Sequence, residues 1–232
     1  VPSQTELLVA LGLQDRLIGI TKFCVHPGYL RKSCTVVGGT KNIKRDKIVA
    51  LHPDLIICNK EENSEEIVEQ LLDIAPVWIS DIVKLEDALG MIRGLGKITA
   101  CLERAEGICS EILNRHDQFK IAVKKRPKIK VAYLIWKDPY MAAGQRTFIN
   151  SMLALNNFEN IVQQHRYPEI TAEELKNAEL ILLSSEPFPF TIQHKKLLEE
   201  TLEIKTSVVD GTYFSWYGSR LLDAFDYFET LA

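Results

Sequence analysis

Cys24-x-His26, within TKFCVHPGY, is the one close pairing of metal-ligating residue types in the chain. A thiolate and an imidazole two residues apart suit zinc or a transition metal, but such a site needs further ligands from elsewhere. The other histidines (His52, His116, His165, His194) are scattered. The pair therefore reads as ordinary loop residues, and no protein-bound metal is expected. Five cysteines (Cys24, Cys34, Cys58, Cys101, Cys109) are an odd number at no framework spacing. They read as free, partly buried thiols, with a Cys24–Cys34 bridge left open. Nucleotide and nucleophile chemistry fares no better. GLGK at 94–97 has its first glycine out of register for a phosphate-binding loop, and Ile98 stands where Ser or Thr is required. No dinucleotide fingerprint, GxSxG or HExxH is present. The sequence offers no assembled catalytic set, so no enzyme and no cofactor are expected.

What the chain does offer is aromatic side chains placed just after predicted strands. Phe23, His26 and Tyr29 follow one strand, and Trp136 and Tyr140 follow another. Phe188 and Phe190 come after Leu183; Tyr213, Phe214, Trp216 and Tyr217 come after Asp210; Tyr167 sits in a connection. Each ring taken singly fits core packing as well as a ligand surface. Together they recur where a cleft should open, and a large, flat or greasy ligand would use such rings with a few polar groups for orientation.

The elements that must position these residues alternate between strand and helix. Val1-Pro2 resembles the end of a strand that begins earlier, and Ser3-x-x-Glu6 resembles a capping box opening the helix TELLVALGL. Short strands follow at 17–20 and 36–39, then a helix over 44–52, a buried strand over 54–58, a helix over 64–74 and a strand over 76–80. This alternation predicts parallel strands with helical crossovers, whose carboxyl-end loops line a ligand crevice. The polar segment after Ile57 is one such loop. Helical spacing then persists from about 85 to 125 without proline, as one helix or two. A continuous piece of ~25 residues would span roughly 38 Å. Lys124-Lys125-Arg126-Pro127 ends it. Strands over 129–135, 180–183 and 207–210 then alternate with helices over TFINSMLALN, ITAEELKNA, 191–202 and 218–231. The expected fold class is α/β: two Rossmann-like lobes with parallel sheets joined by a long backbone helix. The lobes are expected over 1–94 and 127–232, with the linking helix over 95–126. The halves echo each other: Asp46 opens a helix leading to PDLII, and Glu173, beside a Thr171-x-x-Glu174 capping box, opens one leading to AELIL.

Bulk properties agree with this picture. The 232 residues are 46% hydrophobic, enough for a substantial core, and the net charge of −3 with interspersed signs argues against nucleic-acid binding. No apolar run reaches the ~18 residues of a membrane span, and no signal peptide is visible.

PSQTELLVALGL, LIGITKFCVHP, KIVALHPDLII, YPEITAEEL and FSWYGSRLL together resemble the class III periplasmic binding proteins of ABC importers, those with a helical backbone between the lobes. That family includes B12-binding, siderophore and haem members. The resemblance covers nearly the whole chain apart from a first strand, and KIVALHPDLII carries it most specifically. It implies capture of a metal chelate of corrinoid, haem or iron-siderophore type in a cleft between the lobes. Phe23, His26, Trp136, Tyr140, Tyr167, Trp216 and Arg220 would clamp the ligand. The partners would be that small molecule and the membrane subunits of an ABC transporter, in a monomeric protein that is periplasmic or membrane-tethered outside the cytoplasm; the free thiols, which suit a reducing compartment, leave a cytoplasmic location open. Asp46 and Glu173 match the acidic residues that dock on the transporter; equally, each is a first-turn carboxylate favoured by the helix dipole. Against the B12-binding pattern, Phe23 and Tyr167 keep their aromatic positions and Arg220 is retained. Thr40 replaces a tryptophan and Trp216 an arginine, which removes polar partners from a corrinoid rim. The alternatives are a chelatase-like metal-handling enzyme, drawing on Cys24, His26 and Glu61 or Glu62, and a ligand sensor without a transporter.

Overall fold

Pro2 occupies the first turn of helix α1 (Pro2–Ala10), where its missing N–H leaves no bond unmade and its ring presets the helical φ. The helix therefore starts ahead of the expected capping box. Val1 is the N-cap, no side chain caps the end, and Ser3 is buried within the first turn. The computed structural model describes residues 1–231 and divides into two units. The first comprises Val1–Ile82, Asp87–Ser110 and Trp216–Arg220; the second comprises Val83–Glu86, Glu111–Ser215 and the chain from Leu221 onward.

In the first unit α1 is followed by β1 (Gly19–Ile20), α2 (Leu30–Ser33), β2 (Thr35–Val36), α3 (Arg45–Ala50), β3 (Ile56–Asn59), α4 (Glu65–Leu72) and β4 (Val77–Ser80). The named strands pair in parallel, as the alternation predicts, but they form two separate pairs. β1 pairs with β2 in the register Gly19↔Thr35, and β3 with β4 in the register Ile56↔Val77. Ile48, Cys58, Ile67 and Leu71 pack α3 and α4 onto β3.

The helical signal from 85 to 125 resolves into two helices, α5 (Leu85–Ile98) and α6 (Leu102–Val123). Helix α6 therefore begins at Leu102, and residues 95–98 complete α5. The break is a Schellman-type end. The Cys101 N–H donates to the Gly96 carbonyl at 2.7 Å and the Ala100 N–H to that of Lys97 at 3.3 Å, with Ala100 at φ 61°. Alanine stands where glycine is usual, so the sequence gives no stop signal. A Cβ at Gly96 would approach that of Ala105 to 2.4 Å, so only glycine lets the first turn of α6 pack this closely on α5. Arg93 bridges Glu106 at 2.9 Å alongside that contact.

The second unit is one five-stranded sheet. It comprises β5 (Ile129–Trp136), β6 (Met141–Ala142), α7 (Phe148–Leu155), β7 (Phe158–Asn160), α8 (Ala172–Leu175), β8 (Leu180–Ser184), α9 (Ile192–Leu202), β9 (Lys205–Val209), α10 (Thr212–Ser215) and α11 (Leu221–Glu229). The order is β6-β5-β8-β9, with β7 also on β5; all pairs are parallel except β5–β6. β8 is buried at all five positions, as a central parallel strand should be. The carboxyl-terminal half of α6 packs on α11 through Phe119, 5.7 Å from Phe225 and 6.0 Å from Phe228. The short strands β6 and β7 escaped the sequence reading, because two or three residues show no alternation. The expected helix over ITAEELKNA shrinks to the single turn α8, held by the capping box that the sequence does predict: Thr171 Oγ1 accepts from the Glu174 N–H at 3.2 Å. Helix α11 starts at Leu221 rather than 218, since Gly218 is pressed against the Ser3 carbonyl; a Cβ there would lie 2.7 Å from it.

Candidate functional site

In the first unit the loop after β1 is pinned by a thiol. Cys24 is fully buried, its Sγ 3.2 Å from Thr5 Oγ1 and 3.3 Å from Thr21 Oγ1, and its N–H donates to the Thr21 carbonyl. It packs with Ile20, Leu30 and Cys34 in one apolar cluster, and Cys34 donates its S–H to the Leu17 carbonyl at 3.0 Å. All five cysteines are free thiols. Cys24 thus anchors the loop from beneath, and the residues around it point outward: Phe23 is 49% and Tyr29 53% exposed, and His26 is exposed as well. Among the described residues no group of three His, Cys, Asp or Glu side chains converges to hold a metal.

Trp216 and Arg220 join this loop. The His26 and Trp216 rings meet edge to face at 5.9 Å, and the Arg220 guanidinium lies over the indole at 5.1 Å while pairing with Glu6. Trp216 is itself 6% exposed, so its ring supports His26 from below rather than standing open. Thr40 is buried, and its carbonyl accepts from Asn63 Nδ2 at 2.9 Å. The polar segment after β3 is organised by Asn59, whose Oδ1 accepts from the N–H groups of Glu61 and Glu62 at 3.0 and 3.2 Å. Asn59 Nδ2 donates to Ser80 Oγ at 2.9 Å, and Gln4 Nε2 donates to the same hydroxyl at 2.8 Å. This buried amide–hydroxyl network joins α1, β3 and β4 and has no local sequence signature.

In the second unit Trp136 closes β5 and is 42% exposed. Its indole meets Phe188 edge to face at 5.7 Å, and Phe188 in turn contacts Phe190 at 4.7 Å and His194 at 5.4 Å. His194 was not singled out by sequence. It takes the glutamate's place in a capping box at α9, its Nδ1 accepting from the Thr191 N–H at 3.0 Å. A neutral ring accepting at Nδ1 carries its proton at Nε2, which makes it a donor rather than a metal ligand. The Tyr140 carbonyl accepts from the Ile170 N–H, and the Ala142 N–H donates to Pro168, which places the Tyr167–Pro168 segment beside β6. Tyr140 and Tyr167 are both half-buried.

Burial pushes the Tyr133 phenol far above its ordinary range, although its hydroxyl donates to Ser184 at 3.1 Å. Burial likewise raises the Cys58 and Cys109 thiols. Glu174 moves the other way, because its carboxylate accepts from the Thr171 N–H and hydroxyl. Each shift has a structural cause, burial for the phenol and the thiols and the capping box for Glu174. Asp46 is exposed in the first turn of α3, and Glu173, in that of α8, pairs with Lys176 at 2.7 Å.

The sequence model of the family described as periplasmic binding protein matches residues 1–202. The chain belongs to the periplasmic binding protein family. Within it, the "Vitamin B12-binding protein" of Salmonella paratyphi A is 26% identical over 178 residues, 75% of this chain but only 65% of that protein's length. The fold is that of solved family members. The periplasmic vitamin B12 binding protein BtuF of Vibrio cholerae superimposes with a TM-score of 0.84 at 19% identity, covering 99% of this chain and 93% of that one. The periplasmic haem-binding protein BhuT, in complex with two haems, gives 0.85 at 20% identity, covering 100% and 97%. No helix among the described residues is long and apolar enough to cross a membrane.

Proposed function

We propose that this periplasmic binding protein captures a metal chelate of corrinoid, haem or iron-siderophore type outside the cytoplasm and delivers it to an ABC importer. One observation carries the reading: each unit presents exposed aromatic rings at the carboxyl end of a parallel strand. Phe23 and Tyr29 lie on the loop after β1, and Trp136 is the last residue of β5. Aromatic rings, with few rotatable bonds, offer flat contact area at little entropic cost, as a macrocycle or a catecholate requires. His26, backed by Trp216 and Arg220, and Tyr140 and Tyr167 complete the two surfaces. Binding and release are the whole mechanism. His194 adds a donor at Nε2 beside the Trp136–Phe188 pair, suited to an acidic substituent on the ligand.

Asp46 and Glu173 serve as docking carboxylates for the transporter's membrane subunits. Both occupy short, exposed helical turns, where a carboxylate is available to a basic partner. Native mass spectrometry of the protein after exposure to haemin, cyanocobalamin and a ferric siderophore should show one retained adduct; retention of none would remove the reading. Replacing Asp46 and Glu173 together by Lys should leave that adduct intact and abolish uptake by cells carrying the transporter. Unimpaired uptake would remove the docking assignment alone.

A further inference from the structure

Residues 21–44 of the first unit carry five cations, Lys22, Arg31, Lys32, Lys41 and Lys44, and no carboxylate, although the whole chain has a net charge of −3. All five are exposed. Backbone contacts hold three of them in the neighbourhood of Phe23. The Lys22 N–H donates to the Gly38 carbonyl at 2.7 Å, and its Nζ lies over the Phe23 ring, 4.9 Å from the centroid. Gly39 packs against both: a Cβ there would meet the Phe23 ring at 3.2 Å and Lys22 Cε at 3.5 Å. Two residues on, Lys41 Nζ donates to the Glu61 carbonyl at 2.7 Å, and the Arg31 guanidinium donates to the Lys22 carbonyl. The partners of these three cations are thus a ring and two neutral carbonyls, which leave their charge uncancelled. Lys137, beside Trp136 in the second unit, differs, because it pairs with Asp138 at 2.6 Å. Glu61 and Glu62 are half-buried, and their carboxylates lie close enough to the buried Tyr217 to raise its phenol beyond what burial alone does.

Resting on the ligand-capture reading above, we infer that the cargo is an anionic chelate, one edged by ionised carboxylate or catecholate oxygens, and that Lys22, Arg31 and Lys41 select it over electrically neutral chelates. The chemistry follows from the placement. The Phe23 ring gives a flat ligand a face to lie on, and Lys22 puts a positive charge at the edge of that face. An ammonium has three donors, and a ring beneath it accepts none of them as an oxygen would, so they stay available to an oxygen anion. A neutral chelate would strip water from these groups without returning a charge-assisted bond. Five like charges on one span also repel one another, a cost that an anion relieves and a neutral ligand does not. The same charges steer an approaching anion towards Phe23.

Equilibrium binding of four probes tests this: haemin and a ferric tris-catecholate, both anionic, and a ferric trihydroxamate and cyanocobalamin, both neutral. The two iron chelates differ in charge at constant metal, and the two anionic probes separate carboxylate from catecholate. One anionic probe should bind at least ~10-fold more tightly than either neutral one. Lys22→Gln combined with Lys41→Gln should weaken that binding ~10-fold, and raising salt from about 0.02 to about 0.2 M should weaken it in the native protein. The same charge removed at Lys124 and Lys125, exposed beyond α6 in the second unit, should change affinity less than ~2-fold. A neutral probe bound most tightly, or an anionic probe bound equally by the native protein and the Lys22/Lys41 variant, would overturn the inference and leave ligand capture standing. Equal losses in the two double variants would overturn it as well, since net charge rather than these side chains would be the cause. Retention of none of the four would remove the capture reading itself, and this inference with it.

Discussion

The two units solve the same problem with different completeness. In the second, β5 is eight residues long, pairs on both sides, and sits beside a β8 that is buried throughout. In the first, β1 and β3 pair on one side only and flank a groove, with Ile56 and Ile57 half-covered. Both carry the alternation of helix and parallel strand, so the difference lies in the centre of the sheet. A strand paired on both sides gains hydrogen bonds in two directions and apolar cover from its neighbours; a strand paired on one side alone has neither in full.

The largest expected effect follows from this contrast. Ile181 in β8 is fully buried, so Ile181→Ala should destabilise by ~3–4 kcal/mol, whereas Ile57→Ala in β3 should cost only about 1 kcal/mol. Equal costs by denaturant titration would erase the distinction between the sheets. Amide exchange should separate them too, with β5 and β8 slower than β1 and β3 by ~100-fold.

High pH probes the second unit. Tyr133 is raised in the folded protein, so the unfolded chain ionises first. Its stabilising contribution is complete below about pH 10, the ordinary phenol value, and declines above it. Tyr133→Phe should flatten that alkaline decline in Tm; an unchanged slope would contradict the burial argument.

A smaller effect reads the junction of α5 and α6. Ala100→Gly should stabilise by about 1 kcal/mol, because a left-handed position carries no Cβ penalty with glycine. Were these residues in a continuous helix, the same change would destabilise by about as much, so the sign decides. Last, Thr171→Ala should remove roughly 0.5–1 kcal/mol by uncapping α8.

The order of strands and helices was legible because β3, β4, β5, β8 and β9 carry apolar runs, and because the capping box at Thr171 is a local signal. The break at Ala100 was not, since its cause is the close approach of Gly96 to Ala105, ten or fewer residues away in sequence but set by packing. The site was legible as a set of exposed rings: Phe23, Tyr29 and Trp136 were found by their place after strands. Burial of Trp216 beneath His26, the Asn59–Ser80–Gln4 network and the pairing of Phe188 with His194 depend on partners distant in the chain or on side-chain packing that no local periodicity reports.

The ligand-capture reading faces its most direct test in a fluorescence titration with haemin and cyanocobalamin of the native protein and of Trp136→Ala. Saturable quenching by one of them, weakened ~10-fold or more in the variant, is the predicted result. Saturable binding of equal affinity in both proteins would contradict the place of Trp136 at the ligand. Quenching that never saturates, with either compound in either protein, would contradict ligand capture of these two kinds.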